Sequence, residues 1–512
     1  MRNWTSPAHR LATLILLAAP LLAASCGTDP AIGERYRAER ELSRLGWSFR
    51  NLSLRPQDTT DEQWADLAAR YEALADRFNQ PGAIQEGEIG EEIQTIAARA
   101  LFTAARVHGN LRDSIHVHAI HERMAGEFAH LPQVFAEVEL ARGKIAHTDG
   151  RIDEAIVHYG NVVENAAPEV GAAGAAGVVL DLPLLMTRLH NREHPDEDPS
   201  PPYDRAATYY ERVAQEHSGE LLGMEAQARL SEVAADRGDW DRALGLMADI
   251  EAKLASLDDP PRDPSAVRLA IAGMQNRAQM DLSTIAATLA SLLTDYPESE
   301  HAPQALLNLA DIAVERGRIE DALGYFEEIT ERYGDHQAHA SEAMLRQGQL
   351  LESEDRWSEA LRLYRALPNE YPVTEAALWA PLRIAQHYMR EGETEEGRRA
   401  LDQAERAYRD FIEGTPPGRL TVFAKERLIE TMLGQEKYDE AITESIALGD
   451  QLVGTRDGVS HLIAAASIAR GALADTSRAA DILDHLAETY PQTGVGQWAA
   501  TEAESLRGTA SR

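Results

Sequence analysis

The sequence has a single cysteine and only four lysines among its 512 residues. One cysteine excludes an intramolecular disulfide, so the chain is not a disulfide-stapled scaffold. The shortage of lysine excludes a polybasic segment of the kind that docks on anionic lipid. Basic residues are few overall, because 50 Lys and Arg stand against 84 Asp and Glu and leave a formal net charge of −34. A surface this acidic repels phosphate backbones, so no nucleic-acid partner is expected.

Catalytic and ligand-binding motifs are also missing from the sequence. It has no glycine-rich phosphate loop, no His-Glu-x-x-His, no cysteine pair for zinc, no Gly-x-Ser-x-Gly elbow and no calcium-loop spacing. Carboxylates are so abundant that no Asp/Glu pair can be singled out as an acid–base couple. We therefore expect that the protein is not an enzyme, uses no cofactor and holds no metal.

The sequence does have an ordinary globular composition, with 44% hydrophobic and 26% charged residues. This composition excludes a wholly disordered chain and a collagen-like fibre. The length corresponds to about three domains, or to one elongated array of repeats, whose length does not predict a number of domains.

An export signal is expected at the N-terminus. Arg2 and Arg10 precede an apolar run over residues 11–24. The run of about 14 residues is shorter than the ~20 that span a bilayer as a permanent helix, but it suits the apolar region of an export signal. Small residues end the run, immediately before Cys26.

The segment around Cys26 resembles the lipobox of bacterial lipoprotein signal peptides, in which the cysteine thiol takes a diacylglycerol and the signal is cut off immediately upstream. Ala23 stands three positions before the cysteine, where leucine is commoner. The resemblance implies a signal peptide over residues 1–25 and an exported protein anchored by lipid on Cys26. Because Gly27 replaces the aspartate that retains some lipoproteins in the inner membrane, it also implies an outer-membrane lipoprotein facing the periplasm. The alternative is an ordinary signal peptide with an incidental free cysteine.

Helix pairs built around small residues, a glycine turn and a late aromatic recur along the rest of the chain. The clearest copy spans residues 305–334, where apolar residues at spacings of three and four follow the 3.6-residue helical period. Small Ala310 and Ala322 let its two helices approach closely. The next copy, residues 343–372, is expected to end at Pro372, which cannot continue the helical hydrogen-bond ladder.

This pattern resembles the tetratricopeptide repeat, whose period is about 34 residues. The equivalent alanines of the two clearest copies, Ala322 and Ala360, are 38 residues apart. This spacing exceeds the usual period, so we expect extra residues at the hairpin junctions. Further copies are predicted at residues 137–168, 225–252, 268–297, 379–408, 425–450 and 460–491, with isolated second helices at 65–78 and 205–217. The resemblance implies an all-α fold, a tetratricopeptide-type α-solenoid of stacked antiparallel helix pairs. The alternative is a helical bundle without solenoid order.

Two proline-rich and acidic stretches interrupt the repeats, one near residue 200 and a shorter one at residues 257–264, and no continuous helix can hold them. The predicted organisation is a signal peptide (1–25), a tether with an N-terminal helix (26–60), N-terminal helical repeats (61–190), an exposed linker (191–204), a C-terminal tetratricopeptide array (205–506) and a tail (507–512).

Stacked helix pairs expose a concave groove lined by the first helix of each pair. By resemblance to tetratricopeptide proteins, the partner-binding groove is expected to include Gln304, Leu307, Asp311, Glu342, Leu345, Gln349, Trp379, Gln386 and Arg390. Tryptophan and arginine are the residue types that anchor interfaces. The alternative for all nine is solvent exposure or packing between repeats. The Lys and Asn set with which some tetratricopeptide domains clamp a C-terminal carboxylate is not apparent.

The densest group of potential metal ligands consists of His108, His116, His118, His121 and His130. On a helix, His118 and His121 share a face and His116 points elsewhere. A metal site needs a third well-placed ligand and an outer shell. The simpler interpretation is a polar helix face on which histidines replace other surface residues.

Together these expectations describe a non-enzymatic, lipid-anchored envelope scaffold that binds proteins or peptides through the concave face of its repeats. In plan it is similar to the tetratricopeptide lipoprotein of the outer-membrane β-barrel assembly machinery and to the periplasmic repeat protein of the Tol-Pal system. That resemblance implies a role in outer-membrane protein assembly. Two alternatives stay open: an envelope metal-binding protein or enzyme that uses the His108–His130 region, and an accessory of peptide or polysaccharide secretion.

Overall fold

The computed structural model describes residues 30–54, 59–79, 87–111, 113–165, 176–491 and 493–510. Every regular element in these ranges is a helix, which confirms the all-α prediction. None of the helices in the described ranges is long and apolar enough to cross a membrane. The predicted signal peptide (1–25) and Cys26 lie outside the described residues.

The chain divides into two compact units, residues 1–250 and 251–512. The helices of the first unit are α1 (Pro30–Ser53), α2 (Asp61–Phe78), α3 (Glu88–Asn110), α4 (Ser114–Glu127), α5 (Pro132–Thr148), α6 (Ile152–Asn165), α7 (Ala176–Glu193), α8 (Ser200–Glu216), α9 (Leu221–Asp236) and α10 (Trp240–Ala255), within which the boundary falls. Consecutive helices from α1 to α9 pack against one another, most extensively α2 on α3, α5 on α6 and α8 on α9. Ala243 of α10 packs with Ala234 and Ala235 of α9.

Small residues facing aromatic rings join the helix pairs of the first unit. Gly143 of α5 lies under Tyr159 of α6, where a Cβ atom would come within 2.5 Å of the ring. Tyr210 of α8 reaches into α7, donates its hydroxyl proton to the Leu180 carbonyl oxygen at 2.6 Å and accepts from the Leu184 amide at 3.1 Å. The aromatic residue of the second helix therefore holds that helix against the first through packing and hydrogen bonds.

The second unit is a longer run of the same kind. Its helices are α11 (Pro264–Arg277), α12 (Leu282–Asp295), α13 (Ala302–Glu315), α14 (Ile319–Arg332), α15 (Gln337–Ser353), α16 (Trp357–Glu370), α17 (Glu375–Arg390), α18 (Thr394–Gly414), α19 (Arg419–Gly434), α20 (Tyr438–Gln451), α21 (Arg456–Gly471), α22 (Thr476–Thr489) and α23 (Gly494–Ala510). Short connections make consecutive helices antiparallel. Helices α13, α15, α17 and α19 also contact one another in succession, as stacked pairs require. The predicted solenoid of helix pairs is confirmed.

Local sequence explains how each pair of the second unit turns and closes. Gly317, between α13 and α14, has φ +69°, a backbone conformation that glycine adopts without steric cost. The next pair uses Asp355 at φ +60° in the same place, because aspartate is among the few residues that tolerate this region. Gly348 of α15 leaves room for Tyr364 of α16, whose ring would lie 2.6 Å from a Cβ atom. Helix α16 ends at Glu370, just before Pro372, as predicted.

The structure differs in detail from the predicted subdivision of the chain. Within the predicted linker, residues 191–204, helix α7 continues to Glu193 and α8 begins at Ser200, because prolines are tolerated in the first turn of a helix. Helix α23 likewise extends into the predicted tail and ends at Ala510. The interruption predicted at residues 257–264 coincides with the connection between α10 and α11. The assignment of these segments to separate domains stays a prediction.

Candidate partner-binding surface

A pocket lies along one edge of the row formed by α13, α15, α17 and α19. These helices run in the same direction, so their amino-terminal ends share that edge. The pocket has a volume of about 660 Å³ and receives residues from all four helices. Its walls include Gln304 and Leu307 of α13, His339, Glu342 and Arg346 of α15, Glu375 of α17 and Arg419 of α19. We call it the amino-terminal pocket.

Exposed ion pairs lie at the amino-terminal pocket, and two of them join one repeat to the next. Arg346 Nη1 lies 3.0 Å from Asp311 Oδ2 of the preceding first helix, and Arg346 Nε donates to Glu342 Oε1 at 2.6 Å. Arg419 pairs with Glu375 in the same way, with 85% of its side chain exposed. Exposed ion pairs contribute only about 0–1 kcal/mol, since water already solvates both charges. A partner's charged groups could therefore replace them at little cost in stability.

An uncharged histidine adds a polar group to the pocket wall. Burial lowers the pKa of His339 below the usual histidine value, and the charges of His336 and His301 lower it further. The His336 and His339 rings lie 6.4 Å apart, between centroids. Near neutral pH, His339 therefore offers one hydrogen-bond donor and one acceptor rather than a positive charge.

A buried carboxylate lies at the opposite, carboxyl-terminal end of the same row. The Glu352 side chain is 6% exposed, accepts from the Tyr364 hydroxyl at 2.9 Å and accepts from Arg390 Nη2 at 2.6 Å. His387 Nδ1 lies 3.2 Å from the same carboxylate, and the His387 ring stacks on Trp357 with centroids 3.4 Å apart. Burial favours a raised pKa for Glu352, but these hydrogen bonds outweigh it and hold the pKa below its usual value. We call this set the Glu352 cluster.

An aromatic and arginine stack joins α17 to α19. The guanidinium carbon of Arg427 lies 4.1 Å from the centroid of the Trp379 ring and 4.9 Å from that of Phe423. The Trp379 and Phe423 rings meet edge to face at 5.8 Å. Arg427 is only 8% exposed, so a cation–π contact of this kind is well desolvated and stabilising. Trp379 thus holds two neighbouring first helices together.

Some of these stacked pairs match a known family of repeats. A family model described as tetratricopeptide repeat matches residues 286–337 and, in an overlapping match, residues 307–373. Residues 286–373 therefore carry tetratricopeptide repeats. The matched stretch runs from α12 to α16 and includes most of the amino-terminal pocket and the residues of α15 that take part in the Glu352 cluster.

Solved structures resemble the tetratricopeptide array at low sequence identity. A tetratricopeptide repeat protein from Parabacteroides merdae is 16% identical, with 55% of this chain and 98% of that chain covered and a TM-score of 0.30. Yeast Tom70 is 12% identical, with 93% and 96% covered and a TM-score of 0.30. No curated protein matches the chain. Similarities of this size carry no argument about function.

All nine predicted groove residues lie on first helices of the second unit, but in different environments. Gln304, Leu307 and Glu342 line the amino-terminal pocket, and Leu307 is also buried in the core together with Leu345. Asp311 pairs with Arg346, Trp379 belongs to the aromatic stack and Arg390 belongs to the Glu352 cluster. Gln349 is half-buried and Gln386 is exposed. Contact of these residues with a partner stays a prediction.

Sequence reasoning did not single out Arg346, Arg419 or His387, although each takes part in contacts between repeats. A signal for two of them exists in the spacing. Arg346 and Asp311 are 35 residues apart, and so are His387 and Glu352. Acids and basic or imidazole side chains about one repeat period apart can meet across neighbouring first helices, so a search at that spacing would find such pairs.

The histidine-rich region of the first unit is arranged differently from the prediction of a polar helix face. His118 and His121 both lie on α4, but His121 is buried, and burial together with the charges of His118 and Arg142 lowers its pKa to about 4. His130 Nε2 lies 2.9 Å from the Gln94 side-chain oxygen. Of these five histidines, His108 and His116 lie together beside one acid, Asp113.

Proposed function

We propose that this protein is a scaffold that binds protein partners through the amino-terminal pocket of its tetratricopeptide array. The single observation that carries the proposal is that one pocket collects side chains from four consecutive first helices. A partner segment seated there would contact several repeats at once, which is how repeat arrays gain binding area. The tetratricopeptide fold is typically a non-enzymatic scaffold, and the proposal assigns no reaction to it.

The charges of the pocket indicate what a partner segment should carry. Arg346 and Arg419 are basic, Glu342 and Glu375 are acidic, and all four keep exposed side chains. An extended segment with charged side chains of both signs would exchange these pairs for pairs across the interface. Complementary charge of this kind contributes more to specificity and association rate than to affinity.

The proposed place of action is the cell envelope. In this proposal residues 1–25 direct export, lipid on Cys26 holds the mature protein at the periplasmic side of the outer membrane, and the partners are envelope proteins or peptides, such as components of outer-membrane protein assembly. The support is the N-terminal sequence alone, in which an apolar run and small residues precede Cys26 and Gly27. Two or three acyl chains give stable anchoring, whereas one chain is marginal.

Crosslinking and affinity capture from membranes test the pocket. The test variant combines Gln304→Ala, Glu342→Ala and Arg419→Ala, which change the pocket without touching the Glu352 cluster. The matched control combines Glu395→Ala and Arg398→Ala on α18, whose side chains are 68% and 67% exposed. We expect the same envelope proteins with wild type and control, and their loss with the pocket variant. Equal recovery by the pocket variant would show that partners bind elsewhere.

The anchor is tested separately, so that it can fail without the scaffold proposal. Cells that express the wild-type chain or Cys26→Ser are labelled with a radioactive fatty acid. We expect label and membrane retention for the wild type only. An unlabelled wild-type protein, or a labelled Cys26→Ser variant, would contradict lipidation at Cys26.

A further inference from the structure

Three candidate metal ligands meet at the junction of α3 and α4 in the first unit. His108, Asp113 and His116 each offer one ligand atom, and these atoms all lie within 4.8 Å of one another. Asp113 Oδ2 is 3.5 Å from His108 Nδ1 and 2.6 Å from His116 Nδ1. The two imidazole rings stack in parallel, with centroids 4.8 Å apart and an interplanar angle of 9°. Two ring nitrogens therefore face one carboxylate oxygen.

The hydrogen bonds of His108 leave a lone pair on its Nδ1 atom, which faces Asp113. His108 is 8% exposed, and its Nδ1 is buried without a hydrogen-bond partner. Its other nitrogen, Nε2, lies 3.2 Å from Glu72 Oε1 of α2. An ionised carboxylate only accepts, so Nε2 donates its proton there and, in the neutral ring, Nδ1 turns a lone pair towards Asp113. A lone pair and a carboxylate face to face repel each other, and a cation between them would remove that repulsion.

We propose that His108 Nδ1, His116 Nδ1 and Asp113 Oδ2 bind a divalent transition metal ion of the Zn²⁺ class. Imidazole nitrogens with one carboxylate suit Zn²⁺ and its neighbours better than Mg²⁺ or Ca²⁺, which prefer oxygen ligands. Zinc–nitrogen and zinc–oxygen distances of about 2.0–2.2 Å place neighbouring tetrahedral ligands about 3.4 Å apart. His108 and Asp113 already stand at this separation. A water completes the four ligands.

The remaining ligand can adjust at little cost. The His116 side chain is 60% exposed, so its ring can move outward from Asp113 without disturbing the core. Asp113 is held in place because it caps α4, where its Oδ1 accepts from the His116 amide at 3.2 Å.

Glu72 supplies the outer hydrogen bond that metal-binding histidines typically make, which fixes the tautomer and raises the basicity of the ligand nitrogen. A bound ion would thus connect α2, α3 and α4 through one chain of contacts. The site lies in the first unit and shares no residue with the amino-terminal pocket. A test of metal binding is therefore independent of the proposed scaffold function. It also differs from the pair His118 and His121 that the sequence suggested.

Titration of the metal-stripped full chain with Zn²⁺ tests the site, using protein that carries no polyhistidine tag. Binding is followed by calorimetry, and Co²⁺ absorption reports the coordination geometry. We expect one ion per chain for the wild type and for the control His118→Ala, and loss of that binding in His116→Ala. Glu72→Gln should bind about 10–100-fold more weakly, as is typical when the hydrogen-bond partner of a metal-binding histidine is changed.

His116 is chosen because it is exposed, so that its replacement leaves the fold intact, which circular dichroism checks. The proposal is overturned if the wild type binds no stoichiometric Zn²⁺ or if His116→Ala binds as tightly as the wild type. It is also overturned if His118→Ala loses binding to the same extent, because the ligands would then lie on the other face of α4.

Discussion

The amino-terminal pocket and the Glu352 cluster lie at opposite ends of the same row of helices and are built from the same residue types. In the pocket, Arg346 and Arg419 meet acids whose side chains are 38% to 59% exposed. In the cluster, Glu352 is 6% exposed and takes hydrogen bonds from two helices. The two regions differ in how far their acidic side chains are exposed to solvent. Water weakens the ion pairs of the pocket, which leaves them exchangeable, whereas the Glu352 carboxylate is shielded from water and the same chemistry fixes one repeat to the next.

The comparison predicts a large effect of removing the buried acid. Glu352→Ala leaves Tyr364 and His387 without their shared acceptor and should lower the free energy of unfolding by about 3 kcal/mol, since breaking a buried charged network costs more than the network contributes. Glu342→Ala, in the same helix but in the pocket, should change it by less than about 0.5 kcal/mol. Urea denaturation, with hydrogen exchange to locate the loss in α15 to α17, measures both. Equal effects would show that burial does not separate the two regions.

A change of packing between the two regions should have the next largest effect. Gly348 lies on α15 between Glu342 and Glu352, and a Cβ atom there would lie 2.6 Å from the Tyr364 ring. We expect Gly348→Ala to destabilise by about 2 kcal/mol through overpacking. Gly324→Ala is the matched control, because its Cβ would meet no atom within 4 Å and alanine favours a helix by about 1 kcal/mol. Thermal unfolding of both variants should give shifts of opposite sign.

Acid should distinguish the buried carboxylate from an ordinary one. The folded pKa of Glu352 is lowered, so its ionised form contributes stability that is present above the ordinary glutamate pKa of 4.5 and is lost as the pH falls through the folded value. Between about pH 6 and about pH 3.5, we therefore expect Glu352→Gln to lose less stability than the wild type. The measurement is the urea midpoint across this range. An equal decrease of the urea midpoint in the two proteins would contradict the lowered pKa.

The smallest expected effect concerns salt. A double-mutant cycle on Arg419 and Glu375 should give a coupling of about 0.5 kcal/mol that fades at high ionic strength, because both charges are exposed. The corresponding cycle on Arg390 and Glu352 should keep most of its coupling in salt, because the acid is shielded from the solvent. Equal salt dependence would remove the distinction between pocket and cluster.

Helical periodicity predicts much of this fold, because it reports which face of a helix is buried. The pair at residues 305–334, its turn at Gly317 and the end of α16 before Pro372 all follow from spacing and from single residues with special backbone properties. Spacing could not separate a groove face from a packed face. A first helix contacts its own second helix and the first helices on both sides, so Leu345 is buried away from the pocket, and Leu307, which borders the pocket, is almost fully buried as well.

The histidine trio shows a second limit of reasoning from one helix at a time. His108 ends α3, while Asp113 and His116 begin α4, and only the turn between the helices brings them together. A helical face analysis groups His118 with His121 instead, because it sees neighbours at spacings of three and four. Ligands that converge across a turn require the angle between two helices, which periodicity does not contain.

Several polar contacts of the array join residues about one repeat apart, as Asp311 does with Arg346, Glu320 with Arg356 and Glu352 with His387. In these places a repeat carries an acid that meets a basic or imidazole side chain of its successor. Shuffling or deleting an internal repeat would leave an acid facing the wrong residue and, at Glu352, strand a charge away from water. Repeat proteins are prone to misassembly in which helices dock on the wrong copy. These contacts make such an error costly, so the order of the repeats is encoded in the chain itself.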